Sequence, residues 1–327
     1  MALTGVAPAP ANDRPLTIWA VSDGRAGMES QVLGLAEAVA RLTPAAIENK
    51  RLKFKGFYGR LPTPLQLAPR AMLTQDSARI EPPWPDLWIG AGRMAVTFAL
   101  CMRAWTHGST FVVQVQDPRW PAGMFDMVVP PRHDRLSGPN VFAITGSPHR
   151  VTPERLRAER AAFADRLEDL PSPRVAVLIG GKSRAHDLTP ARAIEMADEI
   201  AGAVGRAGGS VMATFSRRTP DAARELIAHR LAQLPGMVWD GEGPNPYFAF
   251  LAAADHILVT EDSANMATEE TSTGKPVHVL RMAGRGADKF ARLHAELSEM
   301  GAARPFDGTL ESWSYPPLTE TDRAAAE

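Results

Sequence analysis

The chain has 327 residues, of which 45% are hydrophobic and 22% charged, the proportions of a soluble globular protein long enough for two domains of ordinary size. Its 36 Lys and Arg nearly cancel 37 Asp and Glu, so global charge does not point to nucleic acid as a partner. Cys101 is the single cysteine, which excludes an intramolecular disulfide and a cysteine-cluster metal site and fits a reducing cytoplasm. Residues 1–15 lack the basic and apolar regions of a signal peptide, and no stretch approaches the roughly 20 apolar residues of a membrane span.

Leu16 to Val21 reads as a short buried strand, followed by the turn Ser22-Asp23-Gly24-Arg25-Ala26-Gly27. A helix is expected to about Leu42, with Val32, Leu35, Ala36 and Val39 on one face. Strand, Gly-rich turn and helix make a half-unit of a doubly wound sheet. Gly24 and Gly27 do not give the Gly-x-Gly-x-x-Gly spacing of a dinucleotide fingerprint. The turn nevertheless carries Asp23, Arg25 and Glu29 at the carboxyl end of a strand, where such sheets bind ligands.

Residues 50–67 interleave Lys50, Arg51, Lys53, Lys55 and Arg60 with Phe54, Phe57, Tyr58, Leu61 and Leu65. The pattern suits a surface resting on anionic lipid headgroups, or a strand and loop packed on a domain edge. Strands are next expected from Leu87, from Phe111 to Gln116, from Met127 to Pro130 and from Val141 to Gly146, with a helix ending near Trp105. Their polar ends include Asp117-Pro118-Arg119, Arg132-His133-Asp134 and Ser147-Pro148-His149-Arg150, which would line one rim of a parallel sheet. A charged helix from about Pro153 to Leu170 then leads to Pro171-Ser172-Pro173, a domain boundary by composition.

The alternation restarts at Val175 to Ile179, whose end carries Gly180-Gly181-Lys182-Ser183. A P-loop is excluded, because its first glycine would fall at Ala176 inside the strand. Thr189-Pro190 and Thr219-Pro220 each read as a Thr N-cap with Pro at the first helical position. Val211 to Phe215 ends in Ser216-Arg217-Arg218, Met237 to Asp240 is a shorter strand, and a helix covers Phe248 to Ala253. From Leu258 to Leu280 come a strand, a polar turn, a short helix, the break Gly274-Lys275-Pro276 and a second strand. Ser263 and Asn265 stand where that helix begins, and Met266, Glu269, Glu270 and Thr273 have helical spacing. An amphipathic helix (Phe290, Leu293, Leu297, Met300) follows, and a tail with Phe306, Trp313 and Tyr315 is aromatic enough to dock.

The plan is therefore α/β: a first domain over 1–152, a helical linker over 153–173, a second domain over 174–285, and a C-terminal helix and tail over 286–327. In a parallel second sheet, three polar strand ends share one rim: Gly181, Lys182 and Ser183; Ser216 and Arg217; Ser263, Asn265, Met266 and Glu269. Cations and backbone donors at a helix N-terminus suit a diphosphate, and Glu269 can accept two hydrogen bonds from a ribose. No Cys/His metal pattern, Gly-x-Ser-x-Gly elbow or His-Glu-x-x-His occurs.

Two Rossmann-like halves with this signature resemble the GT-B fold of nucleotide-sugar glycosyltransferases. The run Asp262-Ser263 to Glu269 to Gly274-Lys275-Pro276-Val277 is similar to the nucleotide motif of non-hydrolysing UDP-N-acetylglucosamine 2-epimerases. It also resembles the donor site of the lipid II-forming N-acetylglucosaminyltransferase. In both, the Glu five residues before the Gly holds the ribose, the spacing of Glu269; Ala264-Asn265 stand where those enzymes often carry glycines. Over nearly its whole length the chain resembles the mitochondrial-fission family, through residues 22–27, Gln116-Asp117-Pro118-Arg119, Ser216-Arg217-Arg218-Thr219-Pro220 and Thr260-Glu261-Asp262-Ser263. The resemblances imply two Rossmann-like domains facing a central cleft and a nucleotide diphosphate-sugar as substrate. Metal-independent, cofactor-free glycosyl transfer is the expected reaction, with Asp23, then Glu29, then His133 as the base in the acceptor half. A nucleotide-sugar epimerase and a non-catalytic adaptor are the alternatives. The expected location is the cytoplasm, at the inner face of the membrane if residues 50–67 meet lipid.

Overall fold

The computed structural model describes residues 14–183, 185–284 and 288–327. Residues 1–13 of the expected Pro-containing start, and Arg285-Gly286 at the expected boundary of the second domain, lie outside the described residues. β1 (Leu16–Ser22), β2 (Ala45–Arg51), β3 (Leu87–Ala91), β4 (Phe111–Val115) and β5 (Met127–Val129) form a parallel sheet in the order β2-β1-β3-β4-β5. α1 (Ala26–Leu42) covers one face, with Val32, Leu35 and Ala36 in a cluster with Ile18, Ala20, Ile89 and Val113. α2 (Arg93–Trp105) covers the other, where Phe98 and Met102 join Trp19, Trp88 and Val112. Successive strand residues feed opposite faces, so a parallel sheet covered on both sides reads as a continuous apolar run.

Two expected elements differ. Residues 141–146 run beside β5 but form no strand. The N–H groups of Phe142 and Ile144 bond Val128 O and Pro130 O, and those of Val128 and Arg132 bond Asn140 O and Ile144 O in return, but Pro130 between them has no N–H to donate. Only the isolated bridges Val128–Val141 and Pro131–Ile144 result. The helix expected over 153–170 is split into α3 (Pro153–Ala162), capped by Thr152, and α4 (Ala164–Leu167). The break falls at Phe163, which turns with Leu167 into the core of the second domain.

That domain holds six parallel strands: β6 (Arg174–Ile179), β7 (Ser210–Phe215), β8 (Gly236–Val238), β9 (His256–Thr260), β10 (Val277–Leu280) and β11 (Ala303–Pro305). Their order is β11-β10-β9-β6-β7-β8; β11 was not expected. α5 (Pro190–Arg206) and α6 (Asp221–Leu231) pack on one face. α7 (Tyr247–Ala253) packs on the other with α3, and α8 (Ala264–Thr271) and α9 (Asp288–Glu299) follow β9 and β10. Thr189 caps α5 by accepting the Arg192 N–H. Thr219 does not repeat this: its hydroxyl donates to Gly180 O at 2.5 Å, and α6 starts without a side-chain cap.

The tail docks on both domains. Trp313 Nε1 donates to Gly301 O at 2.8 Å and Tyr315 OH to Lys275 O at 2.7 Å. α10 (Glu320–Ala326) then crosses to the first domain, where Glu320 accepts the Thr145 N–H at 2.8 Å and Asp322 pairs with Arg41 at 2.5 Å. Arg292 and Glu296 of α9 add bonds to His133 O and the Thr145 hydroxyl. Among the described residues no helix is long and apolar enough to cross a membrane.

Candidate functional site

Three strand ends of the second sheet meet at Asp262, whose side chain is fully buried. Its Oδ2 accepts the Gly181 N–H at 3.0 Å and Arg218 Nη2 at 2.8 Å, and its Oδ1 the Thr260 hydroxyl at 2.7 Å. A buried carboxylate requires such donors, and these tie the ends of β6, β7 and β9 together. Closeness explains the glycines: a Cβ on Gly180 would overlap the Asp262 carboxylate, and one on Gly181 the backbone of Arg218. Beside this knot Lys182 and Arg217 are exposed, with Lys182 Nζ 3.4 Å from Asp187. Ser183 and Ser216 serve their own loops, accepting the N–H groups of Ala185 and His186, and of Arg218. Arg218, not Arg217, is therefore the arginine built into the rim.

α8 begins as its sequence suggests, with Ser263 Oγ accepting the Met266 N–H at 3.3 Å. Lys275 of the Gly-Lys-Pro break turns back, donating at 2.7 Å to the carbonyls of Leu251 and Ala252 at the end of α7. Burial lowers its pKa to about 8. Glu269 and Glu270 both point inward, 7% and 0% exposed. The Tyr247 hydroxyl stands 2.6 Å from Glu269 Oε2 and 3.0 Å from Glu270 Oε1. A phenol has one proton to give, so the second short contact requires a proton on a carboxyl. Glu269 has Ser30 and Tyr247 as donors and the charge of Arg155 nearby, all opposing the rise that burial causes. Glu270 is pushed well above the usual carboxyl range by burial and by Glu269 beside it. Its Oε2 has no partner among the described residues. Burial raises both carboxyls, Glu270 the further, so the proton that the two contacts require is assigned to Glu270, with the Tyr247 hydroxyl between it and Glu269.

The first domain reaches this site directly. Ser30 Oγ donates to Glu269 Oε1 at 2.9 Å. Gln116 Nε2 donates to Gln31 Oε1 at 2.9 Å, and Gln31 Nε2 to Asn265 Oδ1 at 2.8 Å. This amide relay runs from the end of β4 through α1 to the start of α8. Gln116 adopts the left-handed φ of +71°, a conformation non-glycine residues hold where surrounding structure compels it. Asn265, expected at the diphosphate, is held by Gln31, and Met266 packs against the second core.

The candidate bases are all engaged. Asp23 Oδ1 accepts the Arg25 N–H at 3.1 Å and its Oδ2 lies 3.3 Å from Arg25 Nε. Asp117 and Arg119 repeat this arrangement at the end of β4, at 2.8 and 3.1 Å. Glu29 accepts Arg51 Nε at 2.8 Å and the Asn49 amide. His133 is buried below α9, and burial lowers its pKa. In residues 50–67, Phe54 and Tyr58 belong to the core side, their rings tilted with centroids 5.0 Å apart, while Phe57, Leu65 and Leu67 are 70%, 59% and 74% exposed. Among the described residues no group of three or more His, Cys, Asp or Glu is placed to hold a metal.

Sequence reasoning missed Ser30, Gln31, Tyr247 and the part played by Asp262. Asp262 and Gln116 lie inside the motifs that carry the family resemblance, which is a usable signal; Tyr247 and Ser30 have none.

Residues 26–327 match the family described as Mitochondrial fission ELM1. The chain is 34% identical over 272 residues to the mitochondrial fission protein ELM1 of Arabidopsis thaliana, covering 74% of this chain and 62% of that one. It therefore spans less than two thirds of the plant protein's length. It is 25% identical over 355 positions to the uncharacterized protein RP120 of Rickettsia prowazekii (strain Madrid E), covering 95% and 97% of the two chains. Among solved structures, the UDP-GlcNAc 2-epimerase from Methanocaldococcus jannaschii is similar with a TM-score of 0.51 at 12% identity, covering 95% of this chain and 92% of that one. The S. aureus MnaA-UDP co-structure gives 0.50 at 13%, covering 95% and 87%. At such identities the likeness is one of fold, two Rossmann-like domains about a cleft in the GT-B manner. Matched from residue 26 to its last residue, the chain belongs to the mitochondrial fission ELM1 family.

Proposed function

We propose that the second domain binds a nucleoside diphosphate-sugar and that the chain transfers the sugar, without a metal, to an acceptor held by the first domain. The observation that carries this reading is Glu269, a buried carboxyl group held by Tyr247 one turn into the helix that follows β9. Such a group takes both hydroxyls of a ribose, while Lys182, Arg217 and the start of α8 meet the diphosphate. The solved neighbours support the choice of ligand, since one is named for UDP-GlcNAc and the other is a UDP co-structure. Asp23 is the first candidate base, ahead of Glu29 and His133. Its work requires the acceptor to draw Arg25 away from it. Exposed Phe57, Leu65 and Leu67, with Lys55 and Arg60 in the same segment, favour an anionic lipid surface as the place where the acceptor is met. Sedimentation with anionic liposomes that is equal for wild type and Phe57→Ser/Leu67→Ser would remove the lipid part of the reading.

Titration of the uridine, guanosine and cytidine diphosphates and their sugars tests the site. One series should bind the wild type, and Glu269→Ala should lose about 1–3 kcal/mol through unpaired buried hydroxyls. Absence of binding at millimolar concentration overturns the proposal. Diphosphate release with an acceptor distinguishes transfer from an isomerised donor, the mark of epimerisation. Binding without turnover leaves the adaptor role that the plant relative's name suggests.

A further inference from the structure

We propose that Tyr247 and Glu270 are positioning residues that fix Glu269 for the ribose hydroxyls and thereby make the site select ribonucleotides over 2′-deoxyribonucleotides. The inference rests on the nucleotide reading above and goes further, to a specificity and to two residues given no role by the sequence. The geometry is a buried row of three groups, the Tyr247 hydroxyl lying 3.0 Å from Glu270 Oε1 and 2.6 Å from Glu269 Oε2. With one phenol proton between two carboxyls, the row runs as donors from Glu270 through Tyr247 to Glu269. Tyr247 is the first residue of α7 and both glutamates are on α8, so the row bridges two elements packed in one core. Its effect is twofold. The proton on Glu270 keeps the buried pair at a single negative charge, which lets Glu269 remain ionised. The Tyr247 bond occupies Oε2 from inside and fixes the plane of the carboxylate, leaving Oε1 toward the cleft, where Ser30 of the first domain now meets it at 2.9 Å. A carboxylate held in this way requires a hydroxyl at that position. A ligand without one leaves a buried charge short of a donor, and sites built to bond a hydroxyl reject analogues lacking it.

The test compares calorimetric affinities of UDP and 2′-deoxy-UDP for wild type, Tyr247→Phe and Glu270→Gln. Wild type should prefer UDP by about 10- to 100-fold. Tyr247→Phe should bring this ratio to within about 3-fold of unity, chiefly by weakening UDP. Glu270→Gln keeps an N–H donor toward Tyr247 and should retain the wild-type ratio, which guards against the Phe variant failing to fold. Equal weakening of both nucleotides in Tyr247→Phe, or an unchanged ratio, overturns the inference and leaves the nucleotide site standing. Loss of the ratio in Glu270→Gln overturns the assignment of the proton. If neither binds the wild type, the same comparison is made with GDP and CDP and their 2′-deoxy forms, and failure of all three diphosphates to bind overturns the underlying reading instead.

Discussion

Replacing Glu270 with glutamine should stabilise this protein, and only above about pH 5. An unfolded glutamate ionises near pH 4.3. In the folded chain Glu270 keeps its proton, because burial and the neighbouring Glu269 raise its pKa and Tyr247 has no second proton to offer. The folded state then binds one more proton than the unfolded state as pH rises past about 4.3, and stability falls by roughly 1.4 kcal/mol per pH unit. The cost goes on growing until pH reaches the folded pKa, which burial and Glu269 hold well above the ordinary carboxyl range. Glutamine has nothing to ionise and can still donate to Tyr247. Its oxygen stays unpaired as Glu270 Oε2 already is, and its second N–H is an added buried donor without a partner, for a penalty of about 1 kcal/mol. The net gain therefore appears above about pH 5 and grows by up to about 1.4 kcal/mol per pH unit until the raised folded pKa is reached. Urea unfolding of both proteins at pH 4.5, 6 and 7.5 measures it. A variant no more stable at pH 7.5, or an offset that does not change with pH, would refute the assignment of a neutral Glu270.

Ser30→Ala should raise UDP affinity by roughly 3- to 10-fold, since the ribose no longer displaces a hydrogen bond of about 0.5–1.5 kcal/mol; unchanged calorimetric affinity would show that Ser30 does not compete. Asp262→Ala should cost roughly 3 kcal/mol in urea unfolding by stranding Gly181, Thr260 and Arg218, and a loss under about 1 kcal/mol would mean that the knot is dispensable. Acid should destabilise the chain through His149 and His278, whose pKa values burial lowers to about 4. Both are neutral when folded, so their contribution is complete above pH 6.5 and is lost as pH falls toward 4, by roughly 3 kcal/mol each. His278→Gln should flatten that part of the melting-temperature profile, and an unaltered slope would count against burial as its cause.

The architecture was readable in the sequence because parallel strands buried on both faces are continuous apolar runs, and the helices between them announce their starts with Ser263 or Thr189. Glu269 was singled out over Glu270 by its five-residue spacing from Gly274 in the nucleotide motif the run resembles. Its partners were not. Ser30 lies 239 residues away, and a contact across two domains leaves no mark in any local pattern. Ser183, Ser216 and Thr219 were read as ligand-facing or capping residues, but a hydroxyl serves a local turn equally well, and only the surrounding backbone decides. Residues 141–146 have the composition of a strand. What denies them a ladder is Pro130 on the neighbouring segment, a property of the pair.

The departure at Ala264-Asn265 from the glycines of similar nucleotide sites has a physical counterpart across the cleft. Asn265 projects toward α1, where Gln31 holds its carbonyl oxygen at 2.8 Å and a Cβ on Gly27 would overlap its amide nitrogen. The close approach that glycines provide elsewhere is provided in this chain by Gly27, so the turn at residues 22–27 and the start of α8 are two halves of one contact. The two positions should therefore couple. Gly27→Ala alone displaces the Asn265 amide and costs the Gln31 bond, a loss of about 1 kcal/mol or more against a helix-propensity gain of at most about 1 kcal/mol. In an Asn265→Gly background the obstacle is gone, and the same substitution should be neutral or stabilising. A double-mutant cycle on unfolding free energy should show an interaction of about 1–3 kcal/mol. Additivity to within about 0.5 kcal/mol would mean that Gly27 answers to its own backbone and not to Asn265. The turn and the helix start would then have no physical need of each other, and their occurrence together in one sequence would require a different cause.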